Sequence, residues 1–351
     1  MICLDDFEKY ARDNLPRSVF NVVSCGADDQ QTLHDNRNAF KRIRIRPRVL
    51  RDVSKRDLSA TILGQHVPFP FGISPSGLHK LVCSDGETAT ARAASSVGVI
   101  MILSSYSNSS IEEVTNAAPT AHLWLQVYIF KDREITAELV HRAERAGYKA
   151  IVVTVDTPYA GNKIDVNRYG GFNPQVRLPN LESSCLRPLC DSLELSASVT
   201  WSDITWIQSL SSLPVVVKGI MSGDCAREAM AAGVDGIMVS NHGGRQLDGV
   251  PASIDVLPEV IAETQGTNVE VYLDGGVRLG TDVLKALALG ARAVFIGRPI
   301  WWGLTYKGEE GVRQVLDILR DELSLAMALS GCASVKDVSS SLLVRCPTSN
   351  L

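Results

Sequence analysis

"VEVYLDGGVRLGTDVLKALALGARAVFIGRP" (269–299) decides how this chain is folded. It opens on a short apolar run, "VEVYLD" (269–274), and crosses two glycines. "LGTDVLKALALG" (279–290) then spaces its apolar residues as a helix does and stops on glycine. "AVFIG" (293–297) follows at once as a second apolar run. Strand, helix and strand within about thirty residues make one βαβ unit. Near-continuous apolarity, rather than alternation, suits strands buried on both faces of a parallel sheet.

Working outward, the unit repeats. Further apolar runs are "FPFGIS" (69–74), "VIMILSS" (99–105), "LWLQVY" (123–128), "AIVVTV" (150–155), "PVVVKG" (214–219) and "GIMVSN" (236–241). Between them "DGETATARAASSVG" (85–98), "DREITAELVHRAERAG" (132–147) and "SGDCAREAMAAG" (222–233) read as helices ending on glycine. Eight strands alternating with helices predict an α/β protein, a (β/α)8 TIM barrel, over one domain spanning 1–351. Residues 1–68 form an N-terminal extension, helical and then irregular. Residues 69–305 hold the barrel, and 306–351 the C-terminal helices and tail. Residues 156–213 separate strands four and five by far more than an ordinary connection, so a long loop is expected at the catalytic face.

Bulk properties narrow the function. The 351 residues are 45% apolar and 21% charged, with a net charge of −4. No basic face points to nucleic acid, and no apolar run reaches the roughly 20 residues that span a bilayer. "MICLDDFEKYARDN" (1–14) places acids where a secretory signal has its apolar core. Eight cysteines are scattered without a CxxC pair. They read as free thiols in a reducing compartment, with no zinc or other metal site. The terminal Ser349-Asn350-Leu351 is one residue away from the peroxisomal Ser-Lys-Leu address.

A barrel gathers the C-terminal ends of its strands at one mouth. Those ends carry Ser74, Pro75 and Ser76; Ser104, Ser105 and Tyr106; Gln126 and Tyr128; Thr154 and Asp156; Lys218; Ser240 and His242; Asp274, Gly275, Gly276 and Arg278; and Gly297 and Arg298. The seventh and eighth repeats are the usual phosphate site of such barrels, so the glycines with Arg278 and Arg298 point to a phosphorylated cofactor. Lys218 admits three readings: an ion pair with an internal acid, a Schiff base, or a fixed charge beside a reduced cofactor. "VSNHGGRQLD" (239–248) sets His242 three residues before Arg245. Asp156, from across the mouth, suits His242 better than the nearby Asp248, because a carboxylate beside an imidazole raises its basicity.

These residues resemble the FMN-dependent L-2-hydroxyacid oxidase family, which includes glycolate oxidase and the longer-chain hydroxyacid oxidases of animals; we place the chain beside the latter. The likeness covers essentially the whole chain. It is carried by "GADDQQTLHDNRNAFKRIRIRPRVLRDV" (26–53), "DGETATARAA" (85–94), "SSIEEV" (109–114), "TVDTP" (154–158), "SNHGGRQLD" (240–248), "YLDGGVRLGTDVLKALALGA" (272–291) and "FIGRP" (295–299). The resemblance implies an FMN cofactor, with its ring at Ser74–Ser76, Ser104, Gln126 and Thr154, and Lys218 stabilising reduced-flavin charge. Ser240 falls in the same strand end. Asp274–Arg278 and Gly297–Arg298 would hold the phosphate. His242 would take the substrate hydroxyl or α-proton with Asp156 behind it. Tyr128 would bond the substrate oxygen and Arg245 the carboxylate. The reaction implied is oxidation of a 2-hydroxy acid by O2 to a 2-oxo acid and hydrogen peroxide, in a peroxisomal homo-tetramer. A dehydrogenase using another acceptor, and a catalytically weakened flavoprotein, are the alternatives.

Three positions depart from the family pattern. Lys163 stands where a second carboxylate-binding arginine is usual, and lysine lacks the planar fork. Val22 replaces a tyrosine whose hydroxyl binds substrate, a loss of about 1 kcal/mol. Tyr106 replaces tryptophan. Together they predict a longer or more apolar acid than glycolate.

Overall fold

The computed structural model describes residues 1–168, 176–182 and 194–345. Cys185, Cys190 and the Ser349–Leu351 tripeptide lie outside them. The unit at 269–299 forms as read, with strand Glu270–Asp274, helix Gly280–Ala288 and strand Ala293–Ile296. The strands are β1 (Ile43–Ile45), β2 (Ala60–Ile62), β3 (Gln65–Val67), β4 (Phe71–Ile73), β5 (Ile100–Ser104), β6 (His122–Val127), β7 (Ile151–Thr154), β8 (Val215–Ile220), β9 (Gly236–Val239), β10 (Glu270–Asp274), β11 (Ala293–Ile296) and β12 (Leu343–Arg345). Strands β4 to β11 are parallel and close into a barrel, with β11 pairing back to β4. The fold is the expected (β/α)8 barrel.

Side chains alternate inward and outward along each strand. The interior cluster holds Ile102, Trp124, Val152, Val216 and Tyr272, all essentially without solvent exposure. Two residues further along the same strands stand Ser104, Gln126, Thr154, Lys218 and Asp274, also buried. The interior is therefore apolar through its middle and polar in its last layer.

The floor is closed by a hairpin where the sequence suggested irregular chain. β2 and β3 pair antiparallel across Leu63-Gly64, both at positive φ (43° and 74°), the twist favoured in two-residue hairpins. Ile62 and Val67 join the interior cluster. Leu63 N donates to the Glu270 carboxylate, which also accepts the Tyr272 hydroxyl at 2.8 Å. Strands of three residues are too short to show a period, which is why the sequence hid them.

Residues 156–213 also contain more than loop. Helices Ile164–Arg168 and Pro179–Glu182 precede Trp201–Leu210, which buries Ile204 and Ile207. Towards the C-terminus the helix Arg298–Leu329 is broken at Lys307 and Gly308, whose dihedrals are not helical. Among the described residues no helix is long and apolar enough to cross a membrane. Cys3, Cys25, Cys83, Cys225 and Cys332 are free thiols.

Trp124 packs its ring against Tyr272 and Phe295 at centroid distances of 5.7 and 5.8 Å. Trp124→Ala is expected to cost about 3–5 kcal/mol in urea unfolding, because the closed barrel cannot collapse into the space left. A loss below about 1 kcal/mol would show that the interior repacks.

Candidate active site

The polar layer at the barrel mouth is partly satisfied from within. Lys218 Nζ donates to Ser240 Oγ at 2.8 Å and lies 3.3 Å from Asp274 Oδ2, which also accepts from Ser74 Oγ at 3.1 Å. Lys218 thus makes the internal ion pair considered from sequence and also lines the cavity above it. Other atoms of the layer are not satisfied. Gln126 Nε2, Thr154 Oγ1, Asp274 Oδ1 and Arg278 Nε are buried and find no partner among the described residues. Buried polar atoms are ordinarily bonded. These four belong to residues that line one cavity of about 370 Å3, and they point to a polar ligand there.

Two of the cavity's walls are built for an anion. After β10, Gly275 and Gly276 take φ of 95° and 84°. At Gly276 a Cβ would stand 2.0 Å from the Asn36 carbonyl oxygen, so only glycine lets the chain pass. Arg278 follows; burial pushes its pKa down to about 10, with the Arg37 charge adding to the effect. Gly297 precedes the helix that opens at Arg298, where backbone N–H groups gather. Arg298 is half-buried, and its pKa is pushed down to about 9 by desolvation, then by Arg245 and Arg278. It donates to the carbonyls of Val23, Gly243 and Cys25 at 3.0, 3.0 and 2.9 Å. Neutral carbonyls leave the positive charge uncompensated.

Opposite stands the acid–base pair. His242 Nδ1 lies 2.7 Å from Asp156 Oδ1, and Thr157 Oγ1 donates to the same oxygen at 2.8 Å. Asp156 follows β7, and β8 makes room for it. The β8–β9 register breaks between Lys218 and Ile220. At Gly219 (φ 114°) a Cβ would come within 2.8 Å of Asp156 Cβ. Burial raises the Asp156 pKa, but the charge and hydrogen bond of His242, with Lys218 and Thr157, outweigh it and leave about 2. Asp156 is therefore a carboxylate at neutral pH. It accepts from His242 Nδ1–H and so fixes the ring with Nε2 turned away from the carboxylate. His242 itself has φ 57°, a left-handed backbone uncommon outside glycine and typical of functional turns.

The remaining expected residues divide. Val22, Pro75, Ser76, Tyr106, Tyr128 and Arg245 line the cavity with those above. Tyr106 and Tyr128 lie 5.4 Å apart between ring centroids. Burial pushes the Tyr106 hydroxyl up to about 12, and burial with the Asp156 charge pushes Tyr128 higher, so both hydroxyls keep their protons. Arg245 donates to the carbonyls of Val22 and Cys25 at 2.9 and 3.1 Å. Ser240 and Asp156 sit behind the wall, bonded to Lys218 and His242. Lys163 is not in the wall. It is half-buried, donates to the Gly161 carbonyl at 3.3 Å, and is held below the usual lysine range by burial and the Arg245 charge. Asp248 accepts from the backbone of Gln31 and Thr32 at the start of helix Gln31–Arg42, a stabilising place for a carboxylate. Sequence reasoning missed Thr157, Gln246, which donates to the Asp156 carbonyl at 3.0 Å, and the wall residues Leu78, Leu178 and Trp301.

A (β/α)8 barrel whose mouth joins an arginine-lined pocket to an Asp–His pair is the frame of an enzyme that holds an anionic ligand beside an acid–base group. The comparisons bring the assignment to a family. Residues 11–345 match the FMN-dependent dehydrogenase family. Human 2-hydroxyacid oxidase 1 is 52% identical over 99% of this chain and 97% of its own. Human 2-hydroxyacid oxidase 2 is 46% identical over 98% of each. The crystal structure of mandelate oxidase superposes with a TM-score of 0.91 at 39% identity, over 98% of each chain. The chain belongs to the FMN-dependent dehydrogenase family, within its group of 2-hydroxyacid oxidases and dehydrogenases. FMN is its cofactor, and the orphaned donors and acceptors beside an arginine-lined pocket fit a polar ring carrying a phosphate.

Filling those orphans should be measurable. Gln126→Leu and Thr154→Val are each expected to weaken FMN binding to the apoprotein by about 0.5–1.5 kcal/mol, read by titration of flavin fluorescence. Unchanged affinity in both would remove them from the cofactor's surroundings.

Proposed function

We propose that the protein oxidises a medium- or long-chain L-2-hydroxy acid to the 2-oxo acid and reduces O2 to hydrogen peroxide. One observation carries the reading: His242, held by Asp156 at 2.7 Å, lines the same cavity as Arg245. Bound FMN supplies a two-electron acceptor. The chain's own residues do the rest. Arg245 pairs with the substrate carboxylate and so orients the α-carbon. Tyr128 donates its retained proton to the substrate oxygen. His242 Nε2 takes a proton from the hydroxyl or the α-carbon, and Asp156 stabilises the imidazolium that results. Ser74–Ser76, Ser104, Gln126, Thr154 and Lys218 hold the ring, with Ser240 bracing Lys218. Asp274–Arg278 and Gly297–Arg298 hold the phosphate.

Support for a longer substrate comes from the walls. Val22, Leu178 and Trp301 offer apolar surface in the same cavity, where a further hydroxyl would favour the smallest acids. The reading extends to a peroxisomal homo-tetramer, resting on the family resemblance and on Ser349–Leu351. Sedimentation, and a fluorescent fusion with and without the last three residues, test these two points.

Anaerobic flavin reduction across a chain-length series of 2-hydroxy acids, followed by kcat/KM in air, tests the activity. The expected order places 2-hydroxyoctanoate above glycolate, with one peroxide formed per turnover. His242→Ala should slow flavin reduction by roughly 10²–10⁴-fold. Glycolate as the better substrate overturns the chain-length reading. Dye reduction without peroxide in air marks a dehydrogenase, and a flavin that no 2-hydroxy acid bleaches marks a binding protein.

Lys163 predicts a pH effect. Its folded pKa is lowered, so its charge is lost, as pH rises, sooner than an ordinary lysine's. With Lys163 near the carboxylate clamp, KM should rise on the alkaline side. Lys163→Arg, which keeps its charge, should flatten that rise and lower alkaline KM by about two- to tenfold, with kcat little changed. An alkaline KM identical in the two proteins excludes Lys163 from substrate binding.

A further inference from the structure

The turn after β4 carries a histidine that none of these roles uses. His79 begins the short 3-10 turn His79–Leu81 and is 1% exposed. Its Nε2 lies 2.9 Å from Ser76 Oγ, and its Nδ1 lies 3.0 Å from Thr90 Oγ1. Its ring meets Trp301 edge-on, with centroids 5.1 Å apart. Both Ser76 and Trp301 line the cavity. The backbone is held as firmly. His79 N donates to Glu87 Oε1 at 3.0 Å, and the same buried oxygen accepts from Asn108 N at 3.1 Å. One carboxylate thereby ties together the chain segments that follow β4 and β5.

Burial pushes the His79 pKa below the usual histidine range, against the opposing charge of Glu87. The ring is accordingly neutral at neutral pH, with one N–H and one lone pair. Both of its partners are hydroxyls, and a hydroxyl can donate or accept. If Nε2 holds the proton, it donates to Ser76 Oγ, and the Ser76 O–H is left for the cavity. If Nδ1 holds it, Thr90 accepts, Ser76 donates to Nε2, and Ser76 shows the cavity a lone pair. A serine without this partner would be free to turn; here the imidazole removes that freedom.

We propose that His79 is a positioning residue for the cofactor: through its bond to Ser76 it sets how the hydroxyl in the cavity wall is presented to FMN. The proposal rests on the reading of this cavity as the FMN site. The chemistry of the ligand suits the device. An oxidised flavin ring offers acceptor nitrogens, and two-electron reduction turns acceptors into N–H donors. A wall hydroxyl able to play either part can serve both states.

The two ends of the imidazole can be tested separately. Asparagine can imitate Nδ1 towards Thr90 but is too short to reach Ser76. Glutamine can imitate Nε2. The measurements are FMN affinity of the apoprotein and the visible absorption bands of bound FMN, for His79→Asn, His79→Gln, Ser76→Ala and the double variant His79→Asn/Ser76→Ala. We expect His79→Asn to weaken FMN about two- to tenfold and to move the flavin bands. His79→Gln should recover most of both. In the Ser76→Ala background His79→Asn should add nothing. An equal loss from His79→Asn with and without the Ser76 hydroxyl would show a packing role and overturn the proposal. So would wild-type affinity and spectrum in His79→Asn. If His79→Asn does not fold, Ser76→Ala with His79→Gln decides: an unaltered spectrum in Ser76→Ala is equally fatal. Wild-type protein that binds no FMN sinks the cofactor reading as well.

Discussion

Closing eight parallel strands on themselves sends every second side chain into a space without water, and the rest of the molecule follows from how that space is filled. The lower layers are filled by Trp124, Tyr272, Phe295 and aliphatic neighbours, with the β2–β3 hairpin as floor. The last layer holds Ser104, Gln126, Thr154, Lys218 and Asp274. A lysine and an acid so placed must pair, and they do. The amide and hydroxyl beside them keep unpaired atoms. Leaving such atoms buried and unbonded costs about 1–3 kcal/mol each, which a ligand supplying the missing bonds would offset.

Charge is distributed on the same plan. Arg245, Arg278 and Arg298 converge on one cavity; burial lowers the pKa of the last two, with Arg37 adding to it at Arg278, and Arg245 and Arg278 adding to it at Arg298. Carbonyl oxygens from Val22, Val23, Gly243 and Cys25 hold two of these guanidinium groups in place without neutralising them. Among the described residues, the acid at the mouth outside the Lys218 pair, Asp156, is committed to His242. The cavity thus keeps net positive character for a phosphate and a carboxylate, and it keeps the Asp156-bound imidazole of His242 for the proton. The His79–Ser76 bond adds a third polar device to the wall, from behind.

Much of this was legible in the sequence because a barrel strand announces its own geometry. "PVVVKG" shows three apolar residues and then a lysine; once strand and period are granted, Lys218 must sit inside and near the top. The same logic located Gln126, Thr154 and Asp274. Elements below the length of a period stayed hidden: the three-residue strands of the floor, and helix Trp201–Leu210, whose two buried residues are too few to mark a face. Asp248 misleads for a related reason. It is close to His242 in sequence, yet its carboxylate serves the backbone of a helix more than 200 residues away. Lys163 follows the family register but turns to the Gly161 carbonyl beside the cavity wall.

The count of barrel strands and the list of polar strand ends were determined by the sequence itself, because apolar runs and turn chemistry are local properties. Family motifs added the cofactor. Pairings were decided only by the tertiary structure. Asp156 meets His242 because Gly219 bends β8 out of register and opens the room for a carboxylate. His79 reaches Ser76 because Glu87 fastens two loops with one oxygen. Such contacts depend on the relative placement of segments distant in the chain. That placement is set by closure of the barrel, and no local pattern of residues encodes it.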